Sequence, residues 1–233
     1  MVTALCSGVM SPKHRSLSLT PDLIRARFPE PGPDDRSATR LMPEEEIAAR
    51  LDGLLTEHGP GDLWLFAYGS LIWKPDVEFA ERRKAKLVGW HRRFCIWQRR
   101  WRGTSANPGL MLALDRGGSC RGVVYRIVPP VKEKIAEVWR REMIGYAYHP
   151  RRLPVETEAG TVTALTFVVN RHSGRYAGRL SDEEIADKIA TACGHIGPCA
   201  SYLLDTLAHL EELGIHDRHL WRLQKLVAER LAH

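Results

Sequence analysis

The apolar run Leu63 to Ala67, which stops at Tyr68-Gly69-Ser70, constrains this chain more than any other feature. A run this short that breaks at glycine reads as a buried strand entering a tight turn. Strands then follow near 85–98, 109–115 and 120–128, with Arg116-Gly117-Gly118-Ser119 as a hairpin loop between the last two. Pro129 and Pro130 end that run, and a helix is expected from Val131 to Glu142. Two further strands are expected near 151–157 and 161–169, around Glu158-Ala159-Gly160, then helices near 181–192, 198–213 and 217–231. With a helix from Pro43 to Glu57 ahead of the first strand, the order is helix, strands, helix, strands, helices. That order argues an α+β fold.

A chain of 233 residues fits one large domain, or a core carrying an arm. Residues 1–58 read as the arm: Pro29, Pro31, Gly32 and Pro33 interrupt it, and Thr20-Pro21-Asp22 can cap a short helix. Residues 59–233 read as the main domain, with the C-terminal helices. Hydrophobic residues at 44% and charged residues at 27% exclude a mainly disordered, collagen-like or coiled-coil chain. No apolar run approaches the ~18–20 residues needed to span a bilayer, so no membrane partner is expected. The five cysteines are scattered without CxxC, which suggests reduced thiols. Lys13, His14 and Arg15 follow the mildly apolar first ten residues instead of preceding them, the reverse of an export signal. A cytoplasmic location is expected.

The 34 Lys+Arg outnumber 28 Asp+Glu, leaving +6, which suits either nucleic acid or small acidic substrates. Three places could carry chemistry. At Phe66-Ala67-Tyr68-Gly69-Ser70-Leu71-Ile72-Trp73, a strand ending in Gly-Ser can aim successive backbone N–H groups at one point and cradle an anion. The same spacing also suits an ordinary turn. Along the helix, Val131, Ile135 and Val138 form one stripe, and the next step of four lands on Glu142. Burial there raises the carboxyl pKa toward general acid/base work, unless Arg140 or Arg141 neutralises it. The aromatic and basic stretch Arg82 to Arg102 could stack bases, or be a strand in which Arg93 points opposite Phe94. It has no RNP-type aromatic pair or GXXG loop, so no nucleic-acid partner is expected. His216 and His219 lack a third ligand and no nucleotide fingerprint is present, so neither metal nor cofactor is expected.

Taken in order, Tyr68-Gly69-Ser70-Leu71-Ile72-Trp73-Lys74-Pro75, Trp90-His91-Arg92-Arg93-Phe94, Arg102-Gly103-Thr104 and Pro108-Gly109 resemble the ChaC family of γ-glutamylcyclotransferases. The resemblance continues through Gly122-Val123-Val124-Tyr125, Arg141-Glu142-Met143, Gly145-Tyr146, Tyr176, Gly178, Gly194, Gly197-Pro198 and Tyr202-Leu203. It implies a small mixed β-barrel with flanking helices, an anion-binding turn at Tyr68, Gly69, Ser70 and Leu71, a catalytic Glu142, and Tyr202 orienting substrate. It also implies glutathione as the small-molecule substrate, cleaved to 5-oxoproline and Cys-Gly without a cofactor. Ala67, Cys95 and Arg100-Trp101 depart from the family pattern and bear on the leaving group. Two alternatives stand beside this reading: a cyclotransferase for other γ-glutamyl amino acids or amines, and a non-enzymatic nucleic-acid module on the 82–102 surface.

Overall fold

The structure is a computed structural model, and it describes residues 16–233. Cys6 and the first ten residues, on which the export reading rests, lie outside the described residues. Helix α1 (Pro21–Arg27) begins at Thr20, whose side chain accepts the Leu23 amide, and α2 (Glu44–His58) carries Glu44, Glu45 and Glu46 at its positive end. Strand β1 (Leu63–Ala67) leads into a 3-10 turn, Ser70–Ile72. Two long strands follow, β2 (Glu81–Gln98) and β3 (Gly109–Ile127), then α3 (Val131–Met143), β4 (Tyr148–Thr157) and β5 (Gly160–Val169). Helix α4 (Asp182–Thr191), the two-residue strands β6 (Cys193–Gly194) and β7 (Gly197–Pro198), α5 (Cys199–Glu212) and α6 (Arg218–Leu231) complete the chain.

The five longer strands close into a barrel in the order β1-β3-β2-β4-β5. Closure is parallel: β5 meets β1 at Trp64↔Ala164 and Leu65↔Leu165, and meets β3 at Leu114↔Val168. The remaining pairs are antiparallel, which makes the barrel mixed. Alternation along β1 divides its side chains between two cores. Phe66 and Tyr68 pack with residues of other strands, whereas Leu63, Leu65 and Ala67 join the large cluster that includes α3, α5 and α6.

The expected hairpin at 116–119 is not there. Residues Gly109–Ile127 form one continuous strand paired with β2 along its length, and Gly117 and Gly118 (φ 105° and 64°) form a corner within it. Gly89 (φ 83°) bends the partner strand at the same level, where the register shifts between Val88↔Ser119 and Trp90↔Arg116. Paired glycines in two long strands let a small barrel turn its corner without ending the ladder. From the sequence alone, such a corner and a hairpin tip look the same.

The arm packs on the barrel's helices. Leu19 and Ile24 are buried, and the Leu19 amide donates to Gln224 Oε1 at 2.8 Å. Helix α2 lies on α3, where the Trp139 indole N–H donates to the Ile47 carbonyl at 2.9 Å. Farther along, the Gly32 amide donates to the Gly194 carbonyl at 3.0 Å, joining the arm to the β6–β7 turn.

Candidate active site

Strand β1 ends in the turn that the sequence singled out. Ile72 N–H closes on the Gly69 carbonyl (2.9 Å) and Lys74 N–H on the Ser70 carbonyl (2.7 Å). The amides of Gly69, Ser70 and Leu71 take no backbone acceptor among the described residues, as expected of groups that open a helical turn. The Tyr125 hydroxyl holds the turn from behind, 3.2 Å from the Leu71 carbonyl and 3.1 Å from that of Ile72. Arg92 holds its start: Nε donates to the Tyr68 carbonyl (2.6 Å), Nη2 to the Arg121 carbonyl (2.5 Å) and Nη1 to Asp217 Oδ2 (2.7 Å). Asp217 in turn caps α6 by accepting the His219 and Leu220 amides. One buried guanidinium thus ties the turn to the last helix.

Glu142 is the penultimate residue of α3, one step beyond the buried Ile135 and Val138. Its side chain is 11% exposed, and burial raises its pKa above the ordinary carboxylate value. Arg141 opposes that shift through a 3.2 Å contact, yet Arg141 is shared with Asp76 Oδ2 and the Lys74 carbonyl (3.0 Å). The negative end of α3 acts in the same direction as burial. Burial also raises the phenol pKa values of Tyr68, Tyr148 and Tyr202, with the Glu142 charge adding to each. Burial thus keeps these three phenols neutral while it favours the protonated form of Glu142.

Glu142, Ser70 and Tyr202 line one cavity of about 710 Å³, a size that suits a small ligand. Tyr68, Gly69 and Leu71 are buried behind it in the turn. Tyr68 donates to the Phe167 carbonyl at 2.7 Å. A Cβ on Gly69 would lie 3.0 Å from the Tyr202 hydroxyl, so glycine is what allows that hydroxyl to rest on the turn. Tyr202 comes from the first turn of α5 and meets Phe94 edge-on at 6.1 Å between centroids. Cations outnumber carboxylates around the cavity, with Lys74, Arg102, Arg140, Arg141 and Arg175 facing Glu137 and Glu142. This balance suits an acidic ligand.

The two histidines do not converge here, whereas Gln98, Trp101 and Arg102, at the end of the basic stretch, line the cavity. His216 pairs with Glu211 (3.0 Å) and His219 with Asp182 (2.9 Å), on separate carboxylates. In the basic stretch, Arg92 pairs with Asp217, Arg93 with Asp115, and Arg100 with Asp34.

Sequence reasoning missed Arg92, Gln98 and Arg175 as parts of the site. For Arg92 a signal existed: it lies two residues before buried Phe94, on the same strand face. Arg175 donates to the Trp97 carbonyl (3.1 Å) and the Gly145 carbonyl (3.4 Å), contacts between distant stretches that no local pattern announces.

A closed mixed barrel thus carries a cavity lined by Ser70 of the strand-ending turn, Glu142 of α3 and Tyr202 of α5. Residues 63–230 match the family described as ChaC-like protein, and the chain belongs to that family. It is 38% identical over 196 residues to the glutathione-specific γ-glutamylcyclotransferase of Escherichia coli K12, covering 81% of this chain and 85% of that one. It is 30% identical over 195 residues to the mouse glutathione-specific γ-glutamylcyclotransferase 1, covering 79% and 87%. In fold it is similar to the crystal structure of the yeast γ-glutamyl cyclotransferase specific to glutathione. That comparison has a TM-score of 0.67 at 22% identity and covers 73% of this chain and 97% of that one.

Proposed function

We infer that this protein is a glutathione-specific γ-glutamylcyclotransferase. The observation that carries this reading is the Glu142 side chain, only 11% exposed, sharing one cavity with Ser70 of the Tyr68–Leu71 turn and with Tyr202. Glutathione presents a glutamyl α-carboxylate and α-ammonium at one end and a cysteinylglycine at the other. The amides of Gly69, Ser70 and Leu71 hold the glutamyl end by its negative charge, and Tyr202 orients it against the turn. Held this way, the α-nitrogen lies over its own γ-carbonyl carbon, and ring closure gains from enforced proximity.

Glu142 first removes a proton from the α-ammonium. The freed amine then bonds to the γ-carbon, and backbone N–H groups stabilise the charge that develops on its oxygen. As the carbonyl re-forms, the bond to the cysteinyl nitrogen breaks and Glu142 returns its proton to that nitrogen, while the second proton of the attacking nitrogen passes to the freed amine, leaving a lactam N–H and a Cys-Gly ammonium. The products are 5-oxoproline and Cys-Gly. No water enters and no electron changes hands, so the atoms of glutathione account for both products. A carboxyl group with a raised pKa suits both halves of the cycle, because it holds the proton long enough to return it.

The four described cysteines, Cys95, Cys120, Cys193 and Cys199, are all free thiols, which fits work in the reducing cytoplasm. Among the described residues no helix is long and apolar enough to cross a membrane. The test is incubation of purified protein with reduced glutathione, γ-Glu-Ala and γ-glutamyl-lysine in ¹⁸O-water, with products read by mass. The expected result is unlabelled 5-oxoproline with Cys-Gly from glutathione and far less from the other two. Free glutamate carrying ¹⁸O would mean hydrolysis and would overturn the reading.

A further inference from the structure

Of the cations that line the cavity, Lys74, Arg140 and Arg141 are matched by carboxylates of the chain itself. Lys74 faces Asp76 at 4.0 Å, Arg140 pairs with Glu44 at 2.7 Å, and Arg141 is shared between Asp76 and Glu142. Arg102 donates to the Pro198 carbonyl (2.9 Å), lies over the Tyr202 ring and interacts with the charge of Asp205. Arg175 is the exception: its hydrogen bonds go to backbone carbonyls, and it pairs with no carboxylate among the described residues.

Arg175 comes from the segment between β5 and α4, and part of its surface stays open. Its Nε donates to the Trp97 carbonyl (3.1 Å) and its Nη1 to the Gly145 carbonyl (3.4 Å), while Nη2 has no acceptor among the described residues. The guanidinium lies over the Trp101 ring, 5.7 Å from the centroid. Two neutral carbonyls and a ring thus fix the fork without matching its charge. Burial pulls its pKa below the ordinary guanidinium value, and the like charge of Arg99 acts in the same direction. An arginine does not relieve that cost by giving up its proton at neutral pH. An anion relieves it, and a carboxylate fits the planar fork.

Resting on the functional reading above, the choice of anion narrows. Glutathione carries two carboxylates. The glutamyl one is held by the turn amides, and the other lies on the glycine that ends the leaving group, clear of the bond changes. Arg175 stands with Trp97 and Trp101, at the end of β2 and just beyond it, and makes no bond to the Tyr68–Leu71 turn. We propose that Arg175 is a specificity-determining residue whose guanidinium holds the glycine carboxylate, so that the enzyme selects γ-glutamyl substrates whose leaving group carries a carboxylate at that reach. A site that holds a charge ready for a substrate group discriminates against a substrate lacking that group, because the charge is then left unmatched.

The probe is glutathione amidated at its glycine, which keeps the size of the leaving group and removes its charge. The readout is kcat/KM for glutathione divided by kcat/KM for the amide, in the wild-type chain and in Arg175→Met, Arg175→Gln and Arg175→Lys. A ratio measured on one preparation does not depend on how much of it is folded. The expected wild-type ratio is about tenfold or more, in keeping with one charge-assisted contact. It should fall severalfold toward one in the two neutral variants, either of which suffices, and be largely kept in Arg175→Lys, which retains the charge. A wild-type ratio near one, or a ratio undiminished in the neutral variants, would overturn the assignment while leaving the cyclotransferase reading intact. An equal loss on both substrates is the undiminished case, and it would mean that Arg175 only supports the backbone or holds the glutamyl end. If the wild-type chain fails to cleave glutathione at all, the functional reading falls and this inference falls with it.

Discussion

The cavity has two walls of different origin. One consists of the Tyr68–Leu71 turn, Glu142 and Tyr202, and each part sits at the end of a regular element that the chain's own pattern dictates. The other consists of Gln98, Trp101 and the β6–β7 turn, drawn together by bonds between distant stretches. Ile196, at that turn, donates its amide to the Trp101 carbonyl at 3.1 Å. Asp34 of the arm accepts from Arg100 (3.2 Å) and faces His195 (3.2 Å), while Asp35 accepts the Ser105 amide (2.8 Å). The arm residues lie outside the matched family segment 63–230. In the proposed reaction the first wall would act on the reacting atoms, and the second borders the rest of the cavity.

Changes to the first wall should act on the chemical step and changes to the second on substrate choice. The largest effect is expected from Glu142→Gln, a loss of about 10²–10⁴ in kcat in a steady-state assay with the fold retained by circular dichroism. Next comes Gly69→Ala, whose new Cβ would meet the Tyr202 hydroxyl. A drop of roughly tenfold in kcat/KM is expected, with part of it recovered in Gly69→Ala/Tyr202→Phe, where the obstructing oxygen is gone. Recovery in that double variant would show the two residues acting as one unit.

Arg92→Met tests what supports the first wall. It removes the bonds to the Tyr68 and Arg121 carbonyls and leaves Asp217 without its cation. A loss of at least about 2 kcal/mol in urea unfolding is expected. The smallest effect belongs to the second wall: Asp34→Asn should raise KM for glutathione a few-fold and leave kcat nearly unchanged. An equal fall in kcat would dissolve the distinction between the walls.

Glu142 also links activity to stability. Its pKa is raised in the folded chain, so its contribution to stability is fully present below the unfolded carboxyl value and is lost as pH rises through the folded value. Glu142→Gln should therefore unfold at higher temperature than wild type at neutral pH. The gap should close as pH falls toward the ordinary carboxylate range.

How far the sequence could be read follows the same division. The β1 run, the stop at Gly69 and the helical stripe ending at Glu142 are local patterns, and short-range sterics and periodicity suffice to place them. The corner at Gly117 and Gly118 misled because positive-φ glycines serve both hairpin tips and bends, and only the partner bend at Gly89 distinguishes them. Arg92 was half legible from alternation with Phe94, but its acceptors at Tyr68, Arg121 and Asp217 are set by barrel closure and by α6. The second wall depends on contacts such as Gly32 to Gly194 and Trp97 to Arg175, which exist only once the whole chain is folded.

The proposed reaction turns on the Glu142 carboxyl as proton carrier, and the pH profile of kcat/KM for 5-oxoproline release tests it most directly. The wild-type chain is expected to show an acidic limb above the ordinary carboxylate range, set by the burial of Glu142, and Glu142→Gln is expected to show only a residual rate without that limb. The same limb at the same position in Glu142→Gln, at undiminished rate, would contradict it.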